Sequence, residues 1–231
     1  MLEQILPAAV VVVERFGDDP GAVLFPEEEA AIARAVRRRQ REFATVRACA
    51  HAALARLGEP PVPIIPDARG APQWPAGVVG SMVHCTGYRA AAVARSRDVV
   101  ALGFDAERNE PLPDGVLDAI ALAGERSRIA RLAALDPSVR WDRLLFCAKE
   151  AVYKTWFPLT GRWLDFDAAD VIIDSAGGGF TARLLVPGPM VAGSPMTVLR
   201  GRWLADRELV AAAITVPARP GKRGAGPEQA G

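Results

Sequence analysis

The chain has 231 residues, half of them apolar and 24% charged, with a formal net charge of +1. That balance suits a globular protein of one domain or two small lobes, long enough to build a core. It excludes a whole-chain field directed at nucleic acid or a membrane surface, so any basic site must be a local cluster. Three widely spaced cysteines, Cys49, Cys85 and Cys147, fit neither a disulfide framework nor a zinc site. The only histidines, His51 and His84, exclude a His-rich metal centre. This usage points to a reducing, cytoplasmic compartment.

The apolar run Ile5 to Val13 carries Glu3 rather than a basic flank and is interrupted by Pro7, so it reads as a buried strand and not a signal peptide. No stretch is long and apolar enough to span a bilayer. A long helix is expected next. Pro26 suits a first helical turn, and Glu27, Glu28 and Glu29 complement the positive end of its dipole. Ile32, Val36, Phe43, Val46, Ala50, Leu54 and Leu57 recur at helical spacing as one core face, and Gly58, Pro60 and Pro61 end the helix. A proline-rich connector, Pro60 to Pro75, follows. The period then changes to strands at Val78 to Val83, Tyr88 to Ala94 and Val99 to Glu107, with turn chemistry at Thr86-Gly87 and Ser96 to Asp98. Such short turns imply antiparallel neighbours.

Residues 109–115, with Pro111, Pro113 and Gly115, read as a hinge between an N-terminal lobe (1–108) and a C-terminal lobe (109–216). A helix is expected from Trp141 to Phe157, stopping at Pro158. Strands follow at Val171 to Asp174, Phe180 to Val186, Thr197 to Ala205 and Leu209 to Val216. Helix then antiparallel strands, twice, predicts an α+β fold of two similar lobes. Residues 217–231 lack apolar periodicity and read as a disordered tail.

Four constellations carry candidate chemistry. In a strand over 99–107, Val100, Leu102, Phe104 and Ala106 would face a core, leaving Asp105 and Glu107 together on the other side. Paired carboxylates suit a hard cation such as Mg²⁺, although alone they read more simply as a strand end emerging into solvent. In Phe146 to Lys154, Glu150 and Lys154 share a helix face, an arrangement equally common as a surface ion pair; Lys149 lies about 100° round. The arginine run Arg34, Arg37, Arg38, Arg39, Arg41 and Arg47 is mostly a solvated face, but Arg39 and Arg47 lie about two turns apart on one side and suit an anionic group. Arg69 and Gly70 to Pro75 lead to a strand ending in His84, either a phosphate ligand or a packed residue. His84 and Cys85 are no catalytic dyad, because strand neighbours face opposite sides.

In this order the pieces resemble the Sfp-type 4′-phosphopantetheinyl transferases, in particular their EntD-like branch, over roughly residues 25–216. GFDAE at 103–107 and FCAKEAVYK at 146–154 look like the family's two metal-and-catalysis motifs. GAPQWP before the His84 strand looks like its upstream motif, and WFPLTGRWLDF at 156–166 is similar to the segment after the helix in the EntD-like branch. The resemblance implies two pseudo-symmetric lobes, each a helix on a small antiparallel sheet, with coenzyme A and Mg²⁺ (or Mn²⁺) in the cleft between them. It implies transfer of phosphopantetheine to a serine of an acyl, polyketide or peptidyl carrier protein, with release of 3′,5′-ADP. Asp105, Glu107 and Glu150 would bind the metal. Lys149 would act near the attacking serine, with a water activated by Glu150 as the competing base. Lys154 and His84 would contact the pyrophosphate, and Arg39 and Arg47 the 3′-phosphate side. Arg69 stands where the family often has a basic residue. Val83 departs from the Ser or Thr that many members carry before the His, which leaves that hydroxyl's contact without a donor. Two lobes in one chain already make a cleft, so a monomer is expected. Two other classes remain: a nucleotide-dependent phosphotransferase, against which stands the lack of a Gly-rich loop followed by Lys-Ser or Lys-Thr, and a non-catalytic carrier-binding module, against which stand the three acids.

Overall fold

The computed structural model describes residues 1–218. A short 3₁₀ turn (Leu2–Gln4) leads into β1 (Val11–Phe16), then α1 (Pro26–Ile32) and α2 (Arg37–Leu57). Next come β2 (Val78–Cys85), β3 (Tyr88–Arg95) and β4 (Val99–Arg108), followed by α3 (Val116–Ile120), α4 (Ala123–Leu135) and α5 (Trp141–Thr160). The remainder is β5 (Ala169–Asp174), β6 (Gly179–Leu184), the short pair β7 (Met190–Val191) and β8 (Ser194–Pro195), β9 (Val198–Ala205) and β10 (Leu209–Pro217). The result is the expected α+β architecture, with antiparallel pairing throughout.

Strand periodicity explains the layers. In β3, Ala91 and Val93 pack against Cys49, Ala50, Ala53 and Leu54 of α2. The alternate residues Tyr88, Ala90, Ala92 and Ala94 enter a second core. That core also takes Leu102, Phe104 and Ala106 of β4 and Leu209, Ala211 and Ala213 of β10. The other face of β10, Val210, Ala212, Ile214 and Val216, packs with Leu144, Leu145, Ala148, Ala151 and Val152 of α5. Both central strands are therefore buried on two faces and read as continuous apolar runs. The first sheet has the order β1-β3-β2 and the second β4-β10-β9-β6-β5.

Several expectations are corrected. The long helix is two helices, and Val36 is 75% exposed, extended backbone at the start of α2 (φ −63°, ψ 151°). The break has a cause. Glu28, fully buried on α1, lies 2.9 Å from His51 Nε2 on α2 and accepts from Ile64 N–H at 2.8 Å. In one straight helix, 23 residues would separate Glu28 from His51 by roughly 35 Å. The sheets divide before Val99: the β3–β4 turn looks like a hairpin, yet β4 pairs along its length with β10 of the second sheet. The register shifts between Val216 and Pro217, and Val100 packs against the α5 core whereas Leu102 lies in the other core. The early strand begins at Val11, after a 3₁₀ turn. Two helices, α3 and α4, occupy 116–135 where none was expected. Helix α5 runs past Pro158 to a left-handed cap at Gly161 (φ 62°). The expected tail falls, from residue 219 on, outside the described residues.

Candidate active site

A cleft of about 820 Å³ opens between α2 and β2 on one side and α5 and β4 on the other. Helix α5 is seated closely on β4 beside it. A Cβ on Gly103 would collide with the Ala151 carbonyl and the Thr155 hydroxyl, so only glycine lets the helix approach there. Two residues on, the same strand face brings Asp105 beneath α5, where its Oδ1 lies 2.7 Å from Lys154 Nζ. Asp105 is 4% exposed, so the expected polar strand face is in fact covered.

The α2 side is cationic. Arg39 and Arg47 both line the cleft, as the helical spacing implied. Arg47 is buried: its Nε donates to Ile64 O at 2.8 Å and Glu28 stands 3.9 Å away. Burial brings its pKa down to about 10, against the pull of Glu28. Arg39 Nη1 contacts His84 Nε2, which requires that nitrogen to accept and places the ring proton on Nδ1. Burial and the neighbouring Arg39 push His84 down to about 4, so the ring is neutral near pH 7. Glu42 sits behind this group, 3.8 Å from both Arg39 and His84 and 3.1 Å from Arg38. Arg69 reaches across the mouth, donating to Gly161 O at 2.5 Å beside the Phe157 ring. Val83 points into the core, so a hydroxyl at that position would not project into the cleft.

The α5 side is acidic. Glu150 lines the cleft with Tyr153 and Lys154. Burial raises the Glu150 carboxyl; Lys154 opposes the shift and Asp105 adds to it. Glu107 is raised by burial and then by Asp105. For Lys154, burial opposes the charge but Asp105 and Glu150 outweigh it, leaving the ammonium above its usual value. Among the described residues, no three His, Cys, Asp or Glu side chains are gathered closely enough to hold a metal ion, so the expected triad is not assembled: Lys154 stands against Asp105 instead. The donor chemistry nevertheless fits Mg²⁺. Glu150 lines the cleft, Asp105 is paired with the lining Lys154 and has its Oδ2 buried without a hydrogen-bond partner, and Glu107 is near enough to Asp105 to be raised by it.

Lys149 is not in the cleft. Its Nζ donates to Phe166 O at 2.6 Å and Ala169 O at 2.9 Å and pairs with Glu125 of α4 at 2.9 Å. All three ammonium protons are engaged. The 100° offset from Glu150 turns it into the lobe. Burial lowers its pKa, partly offset by Glu125. The sequence reading missed Glu125 and Glu42. A signal existed for Glu42, which stands three and four residues after Arg39 and Arg38; the helix bearing Glu125 was itself unforeseen.

Comparisons with known proteins identify the family. The family model for the 4′-phosphopantetheinyl transferase N-terminal domain matches residues 27–94, and that for the 4′-phosphopantetheinyl transferase superfamily matches residues 101–191. The chain belongs to the 4′-phosphopantetheinyl transferase superfamily. It is 56% identical to the 4′-phosphopantetheinyl transferase Svp of Streptomyces mobaraensis, across 100% of this chain and 95% of that protein. It is 48% identical to the 4′-phosphopantetheinyl transferase PptT of Mycobacterium tuberculosis (94% and 98% covered) and 47% identical to Npt of Nocardia iowensis (93% and 99%). The EntD-like branch rests on the motif resemblance alone.

Proposed function

We propose that this protein transfers 4′-phosphopantetheine from coenzyme A to a serine hydroxyl of an apo carrier protein, acyl, polyketide or peptidyl, in a Mg²⁺-dependent reaction that releases 3′,5′-ADP. The observation that carries the reading is the cleft itself: a guanidinium-rich wall on α2 faces Glu150 and Lys154 of α5 across a space large enough for a nucleotide, with Asp105 of β4 paired to Lys154. Arg39 and Arg47 match a 3′-phosphate, for guanidinium geometry suits phosphate oxygens. Lys154 and the Nδ1–H of His84 serve the pyrophosphate, and Arg69 guards the mouth. Asp105, Glu107 and Glu150 would hold Mg²⁺, or Mn²⁺ in its place, which supplies charge neutralisation for the leaving phosphate. In the transfer, the serine oxygen bonds to the phosphorus bearing pantetheine, the bond to the adenylate phosphate breaks, and the serine proton passes to a base. Glu150, through a water, is the base the contacts favour, since the Lys149 ammonium is fully engaged.

One chain supplies both walls of the cleft, which supports a monomer. The described residues contain no helix long and apolar enough to cross a membrane, and all three cysteines are free and buried, as a reducing cytoplasmic compartment allows. The test is mass spectrometry of apo fatty-acid, polyketide and nonribosomal-peptide carriers incubated with this protein, coenzyme A and Mg²⁺. The expected result is a gain of one phosphopantetheine on at least one class. No gain on any of them overturns the reading.

A further inference from the structure

A second, smaller hollow of about 150 Å³ adjoins the cleft, and Glu150 and Tyr153 line both. Its far wall is the segment Trp163 to Phe166 together with Ala169. That wall is extended chain and a single 3₁₀ turn (Phe166–Ala168), so the carbonyls of Phe166 and Ala169 need partners from elsewhere. Both bond to one atom, Lys149 Nζ. Lys149 is in turn held by Glu125, whose Oε2 also accepts from Leu122 N–H at 2.7 Å while its Oε1 accepts from Val171 N–H at 2.7 Å. The lysine side chain is 2% exposed and the glutamate fully buried. One ion pair thus ties the start of α4, the start of β5, the wall of the hollow and the turn of α5 that carries Glu150.

We propose that Glu125 and Lys149 form a positioning pair, which fixes the wall of the hollow and the α5 turn so that the Glu150 carboxylate is presented to the metal and the attacking serine. Neither side chain touches a reacting atom. The inference rests on the role of Glu150 given above. Its geometric basis is that Lys149 and Glu150 are consecutive, so any rotation of the α5 turn that freed Lys149 from its three acceptors would swing Glu150 out of the cleft.

The experiment compares Glu125→Gln, Lys149→Met and the double variant. Each single change leaves a buried charge or an unmet carbonyl pair, whereas the double change removes both charges, a replacement that buried ion pairs often tolerate. Thermal midpoints, kcat and KM are measured with a carrier that the wild type modifies. Mn²⁺ affinity is measured by electron paramagnetic resonance in the presence of 3′,5′-ADP. At a temperature where every variant is folded, each single change should lower kcat on the order of 10²-fold, the scale of a small misplacement of a catalytic group. KM for coenzyme A should change little, Mn²⁺ affinity should fall, and the double variant should be no worse than the worse single. Lys149→Met losing turnover while Glu125→Gln keeps it would make Lys149 act alone and overturn the pairing. Lowered midpoints with unchanged kcat and Mn²⁺ affinity, or failure of all three variants to fold, would reduce the pair to scaffold. If the wild type modifies no carrier, the transferase reading fails by itself, while the Mn²⁺ measurements still report on Glu150.

Discussion

Helices α2 and α5 face each other across one cleft, but their charges are held in different ways. On the α2 side each guanidinium has a partner behind it: Glu28 stands 3.9 Å from Arg47, and Glu42 3.8 Å from Arg39. On the α5 side the acids outnumber their partner. Lys154 takes one oxygen of Asp105, the other oxygen has none, and burial raises both Glu107 and Glu150. A satisfied wall is suited to binding a fixed charge. A wall of carboxylates kept from their preferred ionisation is where a cation or a proton transfer has most to gain, and such perturbed groups gather at reacting centres. Under the proposed function, anchoring would fall to the α2 side of the cleft and chemistry to the α5 side.

The sharpest way to break that assignment is Asp105→Ala. It removes a proposed metal ligand and strands Lys154 in a largely buried place, so two effects are expected together. Transfer should be lost, and stability should fall by about 3 kcal/mol, the lower end for breaking a buried pair, since Lys154 keeps some solvent contact. Circular dichroism melts and carrier mass spectrometry on one preparation measure both. Near-normal turnover would remove Asp105 from the metal site.

Glu150→Gln should separate activity from stability. The substitution keeps shape and removes a charge, so kcat should drop about 10²–10⁴-fold and more Mg²⁺ should be required. The sign for stability is opposite. Burial raises the folded-state pKa of this carboxyl, so the ionised form above that pKa weakens the fold, and the penalty disappears as pH falls below the unfolded value. Glutamine removes that penalty at neutral pH. The metal-free variant should therefore melt no lower than the metal-free wild type; a clearly lower midpoint would give Glu150 a structural role instead.

A smaller effect is expected on the anchoring wall. Arg39→Ala should weaken coenzyme A by about tenfold or more, the scale of a lost charge-assisted hydrogen bond, while dephospho-coenzyme A is affected far less. Arg47→Ala should show the same preference, but with a lower melting temperature, because Arg47 also holds the Ile64 carbonyl. Calorimetric titration with both ligands decides it. Equal losses for the two would move these arginines from the 3′-phosphate to another surface.

Legibility followed the same division. Strands β2, β3 and β10 were readable because short turns bracket β-rich apolar runs. The cleft arginines were readable because eight residues make about two helical turns. Helix α4 was not, since it buries only Glu125 and Ile129 and so lacks an apolar stripe. The break before α2 was hidden because apolar spacing continues through Ile32 and Val36 with no Gly or Pro to mark it. Strand β4 was readable but its partner was not, because strand pairing is a long-range fact: Asp105 lies opposite Ala212, over a hundred residues away. Glu150 and Lys154 could be placed on one face from spacing alone. The inward turn of Lys149 depended on acceptors at Phe166 and Ala169 that no local pattern announces.

The finest test of the comparison concerns His84, the α2-side group closest in kind to a titrating catalyst. If that wall only anchors, His84 should act as a neutral donor and not change charge near neutral pH. Its environment argues this way: burial and Arg39 hold its pKa at about 4, and the guanidinium contact already occupies the Nε2 lone pair. Because the folded value lies below the unfolded one, the unfolded chain takes up the proton first. His84 therefore favours the fold fully above the unfolded value of about 6.5, and that contribution is lost as pH falls toward 4. With more than a third of the side chain exposed, the thermodynamic effect should be small, so the better measurement is direct. Only two histidines exist, and His84→Gln identifies the resonance of the other. In the ligand-free protein the His84 ring signals should stay at neutral-tautomer positions, with the proton on Nδ1, from about pH 8 down to about pH 5. A titration midpoint near the ordinary histidine value would show that His84 is cationic when coenzyme A arrives, and the anchoring wall would then hold a proton that the reaction could use.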